Sequence, residues 1–231
     1  TAGDKRVVHK AEFRAGRRVR LGVDFASGKA SPLPATPADF AMVGEHKTHE
    51  FAVYVVRIGS DSRFAVSAGK DKYIRVWDLA AQREFDCWPQ DDEIHDLAFS
   101  PDGKYLYALQ RDSIGVWEFA RRKRVRSVPN ASGEWIRYMA ISKTLLAVAT
   151  QADSGRSTFI KLVDTTTWQV IRKIPVPDSI DSIAFSPDGK TIAVGLHNMK
   201  VSLWTVDGKE GRKMLSLHKD YINCIGFSPD G

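Results

Sequence analysis

The chain of 231 residues carries 34 Lys and Arg against 28 Asp and Glu, a formal charge of +6, with 43% apolar and 27% charged residues. These are the proportions of a folded globular chain, so wholesale disorder and collagen-like structure are excluded. The longest apolar runs, Phe51 to Val56 and Leu145 to Ala149, fall far short of the roughly 20 residues that span a bilayer, and two cysteines, Cys87 and Cys224, are too few for a disulfide framework or a four-ligand zinc site.

Thr1 is not followed by a charged segment and an apolar stretch, so the chain reads as a processed or excised piece. Residues 1–48 read as a degenerate partial unit, closed by Val19-Arg-Leu-Gly-Val-Asp24, and a loop over 31–48 that contains Pro32, Pro34 and Pro37. Beyond it one pentapeptide recurs: Phe99-Ser-Pro-Asp-Gly103, Phe185-Ser-Pro-Asp-Gly189 and Phe227-Ser-Pro-Asp-Gly231. The two intervals are 86 and 42 residues, so a copy is hidden in the first; Ile141 occupies its Phe position, and Ile58 that of an earlier copy. A second landmark follows each: Tyr73-Ile-Arg-Val-Trp-Asp78, Ile114-Gly-Val-Trp-Glu118, Ile160-Lys-Leu-Val-Asp164 and Val201-Ser-Leu-Trp-Thr205. Alternation of apolar and polar residues predicts strands over Ile94–Phe99, Tyr105–Leu109, Ile114–Glu118 and Lys123–Val128. Pro187 and Gly189 mark a tight turn, and no segment keeps a 3.6-residue period. Four short antiparallel strands in each unit of about 42 residues are the signature of a propeller blade.

These landmarks, in this order and spacing, resemble WD repeats. The resemblance runs from about His49 to Gly231 and faintly back to Val7. It implies an all-β propeller of four-stranded antiparallel blades, with about five blades' worth of sequence here. The units lie at about 49–88, 90–128, 132–175 and 178–216, with a partial one at 218–231. A ring of that kind needs further blades, expected from the same longer chain. The family's buried polar tetrad falls on His49, Ser67, Asp71 and Trp77, a structural set with no catalytic part. In the other units Gln90 and Val176 take the His position, and Tyr107 and Val194 the Ser position.

The sequence offers no catalytic or metal constellation. Gly-x-Ser-x-Gly, His-Glu-x-x-His and Cys-x-x-Cys are absent, and Asp188-Gly-Lys-Thr191 lacks the first glycine of a phosphate loop. No cofactor and no enzymatic activity are expected. The resemblance implies a scaffold that docks a protein or peptide. In this family the residue before the turn Asp faces the narrow end, where partners dock. Counting back seven from each Trp position gives Lys70, Gln110, with Arg111 beside it, Arg156 and His197. That basic ring favours an acidic partner. Trp135 and Tyr221, near inter-blade loops, are the aromatic anchors. A second basic cluster, Arg121 to Arg126, falls on an outer hairpin at the opposite end. Nucleic-acid or phosphate binding by the basic face is the alternative, as is a regulatory role in a larger enzyme. No membrane partner is expected, and the two cysteines suit the reducing cytoplasm.

Overall fold

The computed structural model describes the backbone of residues 7–14, 17–24, 29–32 and 210–214, and both backbone and side chains of 48–130, 134–151, 158–207, 215 and 220–228. Among the described residues there is no helix, and so none long and apolar enough to cross a membrane.

The chain divides into two compact units, Gly44–Ile180 and Thr1–Val43 with Asp181–Gly231. The first holds three sheets of four strands each. Blade 1 is β4 (Val53–Ile58), β5 (Phe64–Gly69), β6 (Tyr73–Asp78) and β7 (Arg83–Pro89). Blade 2 is β8 (Ile94–Phe99), β9 (Tyr105–Gln110), β10 (Ser113–Glu118) and β11 (Lys123–Pro129). Blade 3 is β12 (Trp135–Ser142), β13 (Leu145–Gln151), β14 (Thr158–Asp164) and β15 (Val170–Val176). Each is an up-and-down antiparallel meander in chain order. β8 packs against β4 and β5, and β12 against β8 and β9, so the first strands of successive sheets stand side by side around a common axis. Central strands are buried on both faces, as in β9 and β13, while β11 is exposed along nearly its whole length. This burial gradient explains the charged alternation of β11, since an outer strand needs charge to discourage pairing with other chains.

The second unit has a three-stranded antiparallel sheet, β1 (Val7–Arg14), β2 (Arg17–Asp24) and β3 (Lys29–Pro32), and blade 4, β16 (Ile180–Phe185), β17 (Thr191–Leu196), β18 (Val201–Thr205) and β19 (Glu210–Leu215). Residues 31 and 32 of the segment read as a Pro-containing loop are the end of β3; its residues 33–47 lie outside the described ones. Residues 220–228 lie against blade 4. The Ile225 amide donates to Ser182 Oγ at 2.9 Å, and buried Ile222 sits against Gly195, where a Cβ would come within 2.8 Å of Ile222 Cγ2.

The core lies between the sheets. Val66, Ile74, Leu97, Leu106 and Trp117 bind blade 1 to blade 2. Leu109, Ile114, Ile136, Met139 and Leu146 bind blade 2 to blade 3. Burial of such side chains at about 25 cal/mol per Å2 is the main force holding the arc together.

Candidate docking surface at the turn end of the blades

The meander fixes which turns share an end. The β5–β6 and β9–β10 turns, with the segments entering β8 and β12, gather at one end of blades 1 to 3. Lys70 and Arg111 lie in those two turns. Pairing of Val53 with Gly69, and of Ile94 with Gln110, makes Arg111 the register equivalent of Lys70. Gln110, which counting back from the Trp gives, is buried instead. The exposed Lys70 side chain makes no ion pair or hydrogen bond with a described residue. The Arg111 guanidinium lies 5.1 Å from the ring centre of Trp135, whose residue is 48% exposed. A cation over an indole holds both planar groups in one arrangement.

Three further residues join this end, and each is a bulge. The ladder slips between Val53 and Val55, between Ile94 and Asp96, and between Ile136 and Tyr138. The extra residue is Tyr54, His95 or Arg137 on the first strand of successive blades. A bulge leaves its residue outside the pairing and re-aims its side chain. Tyr54 and His95 stack, with ring centres 6.0 Å apart and planes 8° apart, and Tyr54 Oη donates to Glu93 Oε2 at 3.4 Å. Burial pushes the His95 imidazole below its usual pKa, so it is neutral at pH 7. Alternating strands contain no letter that announces a bulge; the only trace is three non-aliphatic residues, each one position after the first aliphatic residue of its strand.

Of the other sequence-derived candidates, Arg156 lies outside the described residues. His197 and Tyr221 belong to the second unit, where their rings stack with centres 4.5 Å apart and His197 Nδ1 lies 3.2 Å from Asp181 Oδ2. There too an exposed aromatic is braced by the residue of a β-turn.

Below the turn end of blade 1, His49 Nδ1 lies 2.7 Å from Asp71 Oδ2 and His49 Nε2 lies 2.6 Å from Ser67 Oγ, which accepts from Trp77 Nε1 at 2.8 Å. The chain of hydrogen bonds ties the entry segment to two strands of the same blade. In blade 2 the register puts Ala108, not Tyr107, at the position Ser67 has in blade 1, because Leu106 pairs with Trp117 as Ala65 pairs with Trp77. Tyr107 faces blade 3 instead. Trp117 Nε1 and Gln90 Oε1 are consequently buried with no hydrogen-bond partner among the described residues, as is Trp204 Nε1 in blade 4. Also among the described residues, no three His, Cys, Asp or Glu side chains converge as metal ligands would.

Four-stranded meanders with adjoining first strands define a β-propeller, and comparison with known proteins gives the family. The model of the WD domain, G-beta repeat, matches residues 41–78, and that of the anaphase-promoting complex subunit 4 WD40 domain matches 142–230. The serine-threonine kinase receptor-associated protein of Mus musculus is 23% identical over 188 residues, 79% of this chain and 51% of the relative. The small ribosomal subunit protein RACK1 of Neurospora crassa is 31% identical over 81 residues, 35% of this chain and 26% of the relative. Among solved structures, Kuenenia stuttgartiensis hydrazine synthase superposes with a TM-score of 0.67 at 18% identity, covering 88% of this chain and 62% of that one. U3-55K superposes with a TM-score of 0.65 at 17% identity, covering 77% and 56%. The chain belongs to the WD-repeat family of β-propellers. It spans about half the length of the receptor-associated relative.

Proposed function

We propose that this chain is a non-enzymatic scaffold that docks a protein or peptide on the turn end of blades 1 to 3. The observation that carries the reading is the Arg111–Trp135 pair: an indole left half in solvent, braced by a guanidinium, on strands whose other ends are locked in the core. Trp and Arg are the residues that dominate binding energy at interfaces, and rigid presentation lowers the ordering cost of association. Lys70, Arg111 and Arg137 are the cations that an acidic partner would meet here, beside the carboxylates of Asp91, Asp92, Glu93 and Asp112 in the same loops. His197 and Tyr221 form the corresponding candidate site in the second unit. The relatives' names point the same way, one being receptor-associated and another a protein of the small ribosomal subunit. The thiols of Cys87 and Cys224 are free, which suits the cytoplasm.

The test is affinity capture with the wild-type chain and with an Arg111→Glu, Trp135→Ala double variant of unchanged circular dichroism. Loss of the captured partners from the variant is the expected result; equal recovery overturns the surface assignment. Basic side chains beside an exposed indole also suit single-stranded nucleic acid. That second reading requires oligonucleotide binding that weakens steeply as salt rises.

A further inference from the structure

The two inter-blade interfaces of the first unit are built from equivalent positions and filled differently. Between blades 1 and 2 an aromatic cluster closes the gap. Trp88 stacks on Trp117 at 5.1 Å, and Phe119 packs on Phe64, Trp88 and Phe99 with ring centres 5.0–5.9 Å away. Between blades 2 and 3 the ladder register places Val128 where Trp88 stands, since Ile114 pairs with Val128 as Ile74 pairs with Trp88. Val163 likewise replaces Trp117, both facing the equivalent leucines Leu146 and Leu106. Thr165 replaces Phe119, since their amides donate to Thr144 and Lys104 in matching turns. Thr165, in place of Phe119, lines a cleft of about 670 Å3 at the end opposite Arg111, and Val128 and Val163, in place of Trp88 and Trp117, line a second of about 350 Å3. Trp168 lines both.

The charge at the rim is also inverted. Val76 pairs with Asp86 in blade 1, and Val116 with Arg126 in blade 2. In the filled interface Asp86 receives the cation Arg122 of the next blade at 3.4 Å, and Arg122 also covers Phe85 at 4.7 Å. At the open one, Arg126 lies 5.9 Å from the Trp168 ring centre, and Lys143 stands on the far wall. Neither has an acidic partner among the described residues; the Asp102 carboxylate on the same lining is held by Ser100 Oγ at 2.6 Å and Lys104 Nζ at 3.4 Å. Trp168 itself holds φ at +61°, a left-handed conformation that is rare for a bulky aromatic, at the turn position where blades 1 and 2 have Gln82 and Arg122.

We propose that the cleft between blades 2 and 3 is a second docking site, taking an aromatic side chain of a partner peptide flanked by acidic residues. The aromatic ring supplies what Phe119 supplies one interface earlier, against Tyr107, Val116 and Trp168. The carboxylates pair with Arg126 and Lys143, reversing the Asp86–Arg122 pairing. This site is distinct from the Arg111–Trp135 surface and stands or falls apart from it.

The test uses the whole chain and a fluorescein-labelled probe, acetyl-Glu-Asp-Phe-Asp-Glu-amide, with binding read by fluorescence anisotropy. Saturable binding is expected. Arg126→Glu and Lys143→Glu, both on exposed residues, should each raise Kd about tenfold. Thr165→Phe, which refills the cleft, should abolish binding, while Arg111→Glu leaves it unchanged. No saturable binding overturns the proposal, as does loss through Arg111→Glu with Arg126→Glu silent. Equal affinity for a probe with Ala in place of Phe, or with Lys in place of the acids, overturns it too. So does a ten-residue oligothymidylate that binds the cleft more tightly than the peptide.

Discussion

In blade 1 the hydroxyl of Ser67 accepts from the Trp77 indole and meets His49; at the same place in blade 2 stands the methyl of Ala108. Trp117 Nε1 is left buried and unpaired among the described residues. A hydroxyl there would accept from it as Ser67 accepts from Trp77. Ala108→Ser should therefore stabilise the chain by about 0.5–1.5 kcal/mol, a net gain typical of a satisfied hydrogen bond. Urea denaturation followed by tryptophan fluorescence measures it, and a loss of stability would show that the hydroxyl does not reach. The sequence leads to Tyr107 here for a definite reason. The turn after β5 has three residues, 70–72, and the turn after β9 has two, 111–112. Counting ten back from Trp117 thus slips by one residue, and one residue turns a strand position to the opposite face. The same slip selects Gln110 in place of Arg111. The tetrad of blade 1, with its full complement of polar residues, was legible; the blades that had lost members had no anchor against which to correct the count.

Asp96 shows how one strand ties three blades. Its carboxylate accepts from Arg57 Nη2 of blade 1 at 2.7 Å, from the Leu97 amide at 2.9 Å, and through its other oxygen from the Met139 amide of blade 3 at 2.9 Å. Ser182 does the same in blade 4 toward Ile225, and each acceptor lies 43 residues before its amide, so the bond follows the repeat. Asp96→Asn keeps the shape but turns one acceptor oxygen into a donor that faces a donor. A cost of about 1–3 kcal/mol is expected in chemical denaturation. Burial holds the Asp96 carboxyl above its ordinary pKa, opposed by Arg57 and the two amides. A raised folded-state pKa means that stability rises as pH falls through it toward the unfolded value of about 3.9. The deficit of Asp96→Asn relative to wild type should accordingly widen between neutral pH and about pH 4. A deficit that narrows over that range would contradict the assignment. The strands themselves were readable from alternation to within a residue or two, as β8 and β11 show. The bulges that aim Tyr54, His95 and Arg137 were not, because a bulge depends on how two strands pair and not on what either spells.

Across blades 1 to 3, each sheet is held by its neighbours, and the strength of the hold differs from one interface to the next. Trp88→Ala empties the stacked cluster and should cost about 3–5 kcal/mol. Val128→Ala at the equivalent position removes two methyl groups beside an existing cleft, and about 1–2 kcal/mol is expected. Similar losses from the two variants in thermal or urea unfolding would mean that the second interface is as tightly closed as the first. The repeat of about 42 residues and the missing Trp at position 163 are visible in the sequence; the space they leave is not, because its size depends on how far neighbouring side chains reach. The bulges bear on this arrangement in another way. Tyr54, His95 and Arg137 are carried by the backbone yet excluded from its ladder. A substitution at any of these three positions changes a side chain without removing a ladder pairing from either neighbouring strand, so the framework and the surface it carries are set by separate residues.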